Sequence, residues 1–576
     1  MATTQVLKPS VADFEIFSAV ERVIQAALRL RPLPTTNPLP PRRLPLFVNS
    51  NLNRMIRILL NTSTGLRIVI LGLILQSNAI AQDPTDALRW SWTLPAGTAR
   101  QQAIGGAMGS LGGDLSATFV NPAGLAFFRT GDLVLSPAFQ QINQRSNYLN
   151  RAESAKRGQL SFGSSGLILA GTEKNRKGQN QVSVLSLAVN RSAHFRNDLL
   201  YRGQNNQNSY SNKFLEEIQG VRDANVVSNQ YPYGASLAFN TYWIDTIAGG
   251  SSGNYQFKTR APIASGLLQE NSIQQTGGIT ELAIAYGGTT GEKIYYGLTL
   301  GIPFLNYERT GKFTEADATA AINNFDFGRV EDYLETKGMG INLKLGAIYR
   351  PNLYWRIGLA FHTPTMYQLV DTYRTVITTN TETYKGQLVQ SSALFNNGAP
   401  GRFQYMMSTP YRAIFSASYV LRSVKDIRKQ KGFLTADVEY VNHRAVQYSV
   451  DPEVENSETT RAYLKSLNQA IDRAYQGAFN VRLGGELKFN TWMVRGGAAF
   501  LGNPYENIAG EQGSRMQLSG GLGYRDQGIY VDLTYVHLSG TDVHAPYRLA
   551  NGNFPMAKIN QQGAQVVLTF GVKIGS

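Results

Sequence analysis

From Gly131 onward, apolar and polar residues alternate with a period of two, in segments of about ten residues separated by turn-rich stretches. In INLKLGAIYR (341–350), Ile341, Leu343, Leu345, Ala347 and Tyr349 share one face, and Asn342, Lys344, Gly346 and Arg350 the other. VRLGGELKFN (481–490) sets Val481, Leu483, Leu487 and Phe489 against Arg482, Glu486, Lys488 and Asn490. LTADVEY does the same with Leu434, Ala436, Val438 and Tyr440 against Thr435, Asp437 and Glu439. In the final segment, AQVVLTFGVKI, Val566, Leu568, Phe570, Val572 and Ile574 alternate with Gln565, Thr569 and Lys573. Side chains of a strand point alternately to its two faces, so each segment predicts a two-faced strand.

Strands are expected at 131–142, 157–171, 180–195, 277–287, 293–306, 338–350, 353–366, 402–422, 432–449, 477–489, 492–503, 514–525, 528–540 and 562–575. A soluble sandwich would show the same alternation with its apolar face inward, so the connections must decide. They alternate longer and shorter along the chain, as in an outer-membrane barrel with long loops outside and tight turns in the periplasm. The fold class expected is all-β, a transmembrane antiparallel β-barrel of about 14 strands. YGASLAFNTYWI (233–244) also reads as a strand, but counting it makes the total odd, so it is assigned to the largest outer loop, 196–276.

Composition agrees: Gly 56, Tyr 29 and Phe 26 beside 16% charged residues suit short, aromatic-rich strands. The absence of cysteine excludes disulfides and thiolate metal sites and is compatible with export through an oxidising compartment. The formal charge of +15 is scattered without a dense basic run, which argues against nucleic acid as a partner. Residues 55–81, MIRILLNTSTGLRIVILGLILQSNAIA, place Arg57 and Arg67 before an apolar run that ends in Ala79-Ile80-Ala81. That is the layout of a secretory signal peptide cleaved near Ala81/Gln82, too short in its apolar part to span a membrane. A signal peptide normally opens the translated chain, so 1–54 reads as an upstream extension from a mis-called start, with translation beginning at Met55; a genuine extension is the alternative.

The search for chemistry returns little. GGSSG (249–253) has nucleophile-elbow spacing around Ser251, but its flanks are loop, where the motif needs a strand and a helix. GGLGYRDQG (520–528) lacks the third glycine of a dinucleotide fingerprint. His194, His362, His443, His537 and His544 have no metal-ligand spacing, although a single axial histidine would suffice for haem. Asp437, Glu439, Glu486 and Asp532 recur on lumen faces among Lys344, Arg350, Arg356, Arg482, Lys488 and Arg495. Mixed charges of this kind form a solvated or hydrogen-bonded wall more often than a paired-carboxylate hydrolase site. No catalytic residue, metal site or cofactor is assigned, and the protein is not expected to be an enzyme.

LSATFVNPAGLAFF (115–128) is apolar enough to be buried, yet Asn121, Pro122 and Gly124 exclude both a long helix and a central strand. It lies in 82–130, between the signal and the barrel of 131–576. Through ARQQAIGGAMGSLGGDLSATFVNPAGLAFF, with its NPA motif at Asn121, Pro122 and Ala123, and through GMGINLKLGAIYRPNLYWRIGLAFHTPT (338–365), the chain resembles the FadL/TodX family of outer-membrane transporters for long-chain fatty acids and other hydrophobic compounds.

The resemblance implies a small amino-terminal hatch inside the lumen, with Asn121, Pro122, Ala123 and Gly124 as its gating motif. It also implies capture of a hydrophobic ligand, such as a fatty acid, on outer loops, and lateral release into the membrane near the hatch without an energy source. Leu199, Leu200, Tyr201, Phe239, Tyr242 and Trp243 are the candidate capture residues, although the same aromatics suit plain packing of the loop. The partners expected are that ligand and outer-membrane lipid, for a monomer in the outer membrane of a Gram-negative bacterium. The alternatives are a non-transporting barrel serving as a structural or secretion-system partner, and a haemin receptor.

Overall fold

The computed structural model describes residues 84–92, 95–174, 180–247, 254–291, 293–421, 431–452, 454, 457–506, 513–550 and 552–575. The expected signal peptide, the expected upstream extension and GGSSG lie outside the described residues.

The chain forms a closed antiparallel barrel of 14 strands. In chain order these are β1 (Gly131–Leu135 with Pro137–Tyr148), β2 (Arg151–Phe162 with Ser165–Lys174), β3 (Asn180–His194 with Asn197–Asn205) and β4 (Leu267–Thr290). There follow β5 (Ile294–Asp317), β6 (Phe327–Tyr349), β7 (Trp355–His362 with Met366–Asn380) and β8 (Gly401–Ser408 with Arg412–Leu421). The circuit is completed by β9 (Gly432–Asn442), β10 (Gly477–Phe489), β11 (Trp492–Leu501), β12 (Arg515–Asp526), β13 (Ile529–His544) and β14 (Ala557–Ile574). Closure is made by β1 against β14, from Gly131↔Ile574 to Asn147↔Lys558.

The outward side chains are those the alternation assigned to one face. Leu343, Leu345, Leu483, Leu487, Val566 and Phe570 are exposed, while Lys344, Arg482 and Thr569 are buried inside. An exposed apolar belt on this scale suits a lipid environment. Aromatic pairs rim it at both levels. Trp355–Tyr419 (5.1 Å) and Trp492–Tyr524 (5.1 Å) lie by the short turns, and Tyr440–Phe479 (5.1 Å) and Phe361–Tyr411 (6.0 Å) lie near the other end. Such girdles mark the two membrane interfaces.

Several strands run well past the expected ends. β4 and β5 have 24 residues each and β6 has 23, more than twice the length that crosses a bilayer. On β5 the outward residues are Ile294, Tyr296, Leu298, Leu300, Ile302 and Phe304, then Asn306, Glu308, Thr310 and Lys312. Beyond Phe304 the apolar residues change parity, and Leu305, Tyr307 and Phe313 are buried inside. Below that point the polar surroundings are in the lumen; above it, water is outside and the core inside. The inversion interrupts the period, which is why the sequence pattern ended these strands early. The same cause shortened β1 and β2, which run on to a two-residue turn at Leu149–Asn150, both at positive φ (48° and 64°).

The largest outer connection is therefore 206–266, not 196–276. YGASLAFNTYWI lies within it, as the helix Ala235–Asn240 followed by the short strand Ile244–Thr246. The connection folds into a head, in which Tyr210, Phe214, Val227, Leu237 and Trp243 pack with Phe325 from the next outer connection.

Leu345 stands midway along the outward apolar run of β6, so Leu345→Arg is expected to destabilise the vesicle-embedded barrel by about 2–4 kcal/mol in denaturant titrations. Asn306→Arg, above the belt, is expected to change stability by no more than about 0.5 kcal/mol.

Candidate functional site: the plugged lumen and the break beside it

Residues 95–130 fill the lumen and are almost entirely buried. Thr98 caps helix α1 (Ala99–Ala103) by accepting from Gln101 N, and its hydroxyl donates to Asp114 (2.9 Å). The NPA motif opens a 3-10 helix, Pro122–Phe127. Pro122 suits its first position, having no N–H to satisfy and a fixed φ. Asn121 caps it: Oδ1 accepts from Ala123 N (3.1 Å), while Nδ2 donates to the carbonyls of Gly109 (2.6 Å), of Leu359 on β7 (3.2 Å) and of Ala347 on β6 (3.4 Å). One side chain thus joins two parts of the plug to two strands of the wall.

The wall makes room for the motif with glycine. Gly287, Gly297 and Gly346 stand in one register row across β4, β5 and β6. A Cβ on Gly297 would lie 2.3 Å from the carbonyl carbon of Pro122, and one on Gly346 would lie 2.0 Å from Asn121 Oδ1. Any side chain there excludes the motif. A second pair, Gly484 and Gly497 on β10 and β11, receives Ile104 and Gly105 in the same way.

Several of the lumen charges hold this seat. Asp437 accepts from the backbone N–H groups of Met108 and Gly109 (2.9 Å each) and from Ser416 (2.5 Å). Arg495 bridges Glu486 (2.6 Å) and Asp532 (2.5 Å), and Arg100 of the plug reaches the same Glu486 (3.4 Å). Thr534 and Thr569 hold the carbonyl and the amide of Ala99 (2.6 and 2.8 Å). Buried carboxylates need such partners, because an unpaired one pays the full desolvation penalty. His194, His362 and His544 are likewise engaged, with Ser161 (3.0 Å), Val120 O (2.8 Å) and Tyr201 (2.9 Å).

Above the plug lies a cavity of about 140 Å³. Its polar lining includes the pairs Lys344–Glu281 and Arg482–Glu439 (2.9 Å), and its apolar lining Trp90, Phe119, Ile279 and Tyr367. Trp90 belongs to the helix Pro84–Ser91 and enters an aromatic cluster with Phe195 (5.2 Å) and Tyr307 (4.9 Å).

The wall beside this cavity is broken. β3 bulges between Arg191 and Ala193, breaks off after His194, and resumes at Asn197. Its upper half pairs with β4 only, leaving Arg151–Phe162 of β2 laddered to β1 alone among the described residues. Side chains replace the missing ladder: Arg157 meets Asp198 (3.1 Å), Arg202 meets Glu153 (2.6 Å), and Ser146 donates to Leu200 O (2.5 Å). At the foot of the break Leu160 and Phe162 are 85% and 66% exposed, and Asn190 and Ser192 opposite them line the cavity. Backbone irregularity at membrane depth is tolerated where protein or a water-filled cavity satisfies it. The sequence reading missed this feature; its trace is the polar run NRSAHFRND (190–198) within an otherwise apolar strand.

The six candidate capture residues do not share one surface. Leu199, Leu200 and Tyr201 lie in β3, not in a loop, with Leu199 and Tyr201 buried beside Tyr148. Phe239, Tyr242 and Trp243 lie in the head, where Trp243 is wholly buried and donates to Glu315 (3.2 Å) while Phe239 and Tyr242 are half-buried. A strand that leaves the membrane still alternates, so aromatics chosen by hydrophobicity alone fall on its inner face.

Barrel, plug and wall break define the class, a plugged transmembrane β-barrel. The chain matches no protein-family profile and no curated protein. Among solved structures it is similar to a Pseudomonas aeruginosa FadL homologue (14% identity, TM-score 0.49), covering 84% of this chain and 100% of that one. It is also similar to the toluene transporter TodX of P. putida (11%, TM-score 0.44, covering 84% and 100%) and the toluene transporter TbuX of Ralstonia pickettii (11%, TM-score 0.43, covering 84% and 99%).

Because Gly346 leaves no room for a Cβ against Asn121, Gly346→Val is expected to unseat the plug without opening the barrel. Limited proteolysis should then cleave between residues 95 and 130 at least about tenfold faster, while the barrel band keeps its heat-modifiable migration. An unchanged cleavage rate would contradict the seat.

Proposed function

We propose that this protein is a passive outer-membrane channel for hydrophobic small molecules, taken up from outside and released sideways into the membrane. The observation that carries the reading is the break between β2 and β3, which adjoins both the lumen cavity and the plug. A polar, hydrogen-bonded lumen floor is a poor path for an apolar solute, whereas an exit at the level of Leu160 and Phe162 leads directly into lipid. Above the cavity, the cluster of Phe195, Tyr307, Tyr367 and Tyr405 offers apolar surface that the Trp90 helix now covers. A ligand entering there takes over the contacts of Trp90. Asn121, Pro122, Ala123 and Gly124 gate the lower end by holding the plug to β6 and β7. Long-chain fatty acids and small aromatic hydrocarbons both suit an apolar, uncharged route of this kind.

A second reading, a non-transporting structural barrel, draws on the head, whose core is dense and whose Trp243 is fully covered. Mass spectrometry of the protein purified without added detergent-like lipids separates the two. A channel yields copurified fatty acid or hydrocarbon, and a structural barrel yields none.

The route itself can be locked. The chain has no cysteine, so Glu153→Cys with Arg202→Cys places a single pair of thiols across β2 and β3, to be joined by a reducible bis-thiol crosslinker. Uptake of a labelled fatty acid or of toluene by intact cells is expected to fall at least about fivefold on crosslinking and to recover on reduction. Uptake indifferent to the bridge would remove the lateral exit. Asn121→Ala with Pro122→Ala is expected to change uptake while leaving a heat-resistant barrel; unchanged uptake would remove the gating role.

A further inference from the structure

Around the barrel, the outward residues just above the apolar belt differ sharply between the two sides. On β5, β6 and β7 they are mixed in sign, with Glu308, Lys312, Glu335, Lys337 and Arg374, and Lys337 is paired with Glu335. On β14, β1 and β2 the exposed face is a grid set by register. Gln562, Asn143 and Lys156 form one row, Asn560, Arg145 and Ser154 the next, and Lys558, Asn147 and Ala152 the third. All nine are exposed. Three cations therefore lie on one diagonal, with Arg145 in the middle and each neighbour about 7–8 Å away, the spacing of diagonal cross-strand positions. No carboxylate shares this face, and among the described residues none of the three cations has an ion-pair partner.

Height gives the diagonal its meaning. Leu160, Phe139 and Val566 form the apolar row below it, and Lys156 is four residues above Leu160, about 13 Å along a tilted strand. Lys156 and Arg145 are thus held at the level of lipid headgroups, with stems long enough to reach down to them. The amides and hydroxyls around them add donors of the kind that phosphate and sugar oxygens accept.

We infer that the outward face of β14, β1 and β2 is a binding surface for a phosphate-bearing lipid of the outer leaflet, with Arg145, Lys156 and Lys558 as its cations. The inference rests on the outer-membrane reading but not on transport. A lipid held there stands next to the free edge of β2, and so beside the break in the wall.

The test uses the full barrel in neutral detergent, titrated by native mass spectrometry with diphosphorylated lipid A, its dephosphorylated form, and inorganic phosphate. The wild-type protein is expected to retain lipid A and to prefer it to the dephosphorylated form. Arg145→Gln, Lys156→Gln and Lys558→Gln together are expected to weaken retention about a hundredfold, the effect of three cations at an anionic membrane surface. Arg145→Lys in the wild-type background should retain most of it. The variants lie outside plug and lumen, so heat-modifiable migration and, if the protein is a channel, solute uptake should persist in detergent-reconstituted vesicles. Equal retention by the triple variant, equal retention of dephosphorylated lipid, or displacement by inorganic phosphate at equal concentration would each overturn the lipid site. Lipid A retention by a wild-type protein that takes up no solute would count against the channel and support this site.

Discussion

The structure depends on one close approach: the backbone of Asn121–Ala123 lies directly against the inner wall where Gly297 and Gly346 present no side chain. At this distance only hydrogen atoms fit, so packing and hydrogen bonding reinforce each other. Asn121 can reach the carbonyls of Ala347 and Leu359 only because the glycines let it come so near. The rest of the plug follows, since Asn121 also holds the carbonyl of Gly109, and Asp437 holds the amide of the same residue. A wall with alanine at those positions would push the motif away and leave these groups unsatisfied in a low-dielectric lumen.

The lumen charges have to be understood in the same frame. Carboxylates and guanidiniums on neighbouring strands look, in one dimension, like the raw material of a catalytic or ion-conducting site. In three dimensions Asp437 caps backbone amides, Glu486 is shared between Arg100 of the plug and Arg495 of the wall, and Glu439 is held by Arg482 and Asn480. Each acid has partners at hydrogen-bond distance; Asp437 and Glu486 fix the plug inside the barrel, while Glu439 is paired within the wall. The irregular part of the wall lies beside the plug, where β3 turns away from β2 and ion pairs replace the ladder.

Most of the architecture was legible because a membrane barrel imposes a strict rule on its strands. Lipid outside and a polar lumen inside demand alternation, and the fourteen expected segments each fall within an observed strand or overlap one. Legibility ended where the rule changed. Above Phe304 the inner face becomes apolar and the outer face wet, so the phase inverts and the continuing strands look like loops. Leu199, Leu200 and Tyr201 were read as loop for that reason, although they belong to a strand whose inner face, with Leu199 and Tyr201, is core. The motif Asn121-Pro122-Ala123-Gly124 was visible as an interruption, but what it interrupts was not.

The sequence by itself determined the strand count, the two faces and the presence of an irregular apolar segment ahead of the barrel. These are local consequences of side-chain polarity meeting a two-faced environment. Only the tertiary structure decided where Asn121 bonds, which glycines receive it, and where the ladder of the wall is interrupted. Those depend on register between strands hundreds of residues apart, and on a bend in β3 whose neighbours, not its own residues, leave β2 without a partner.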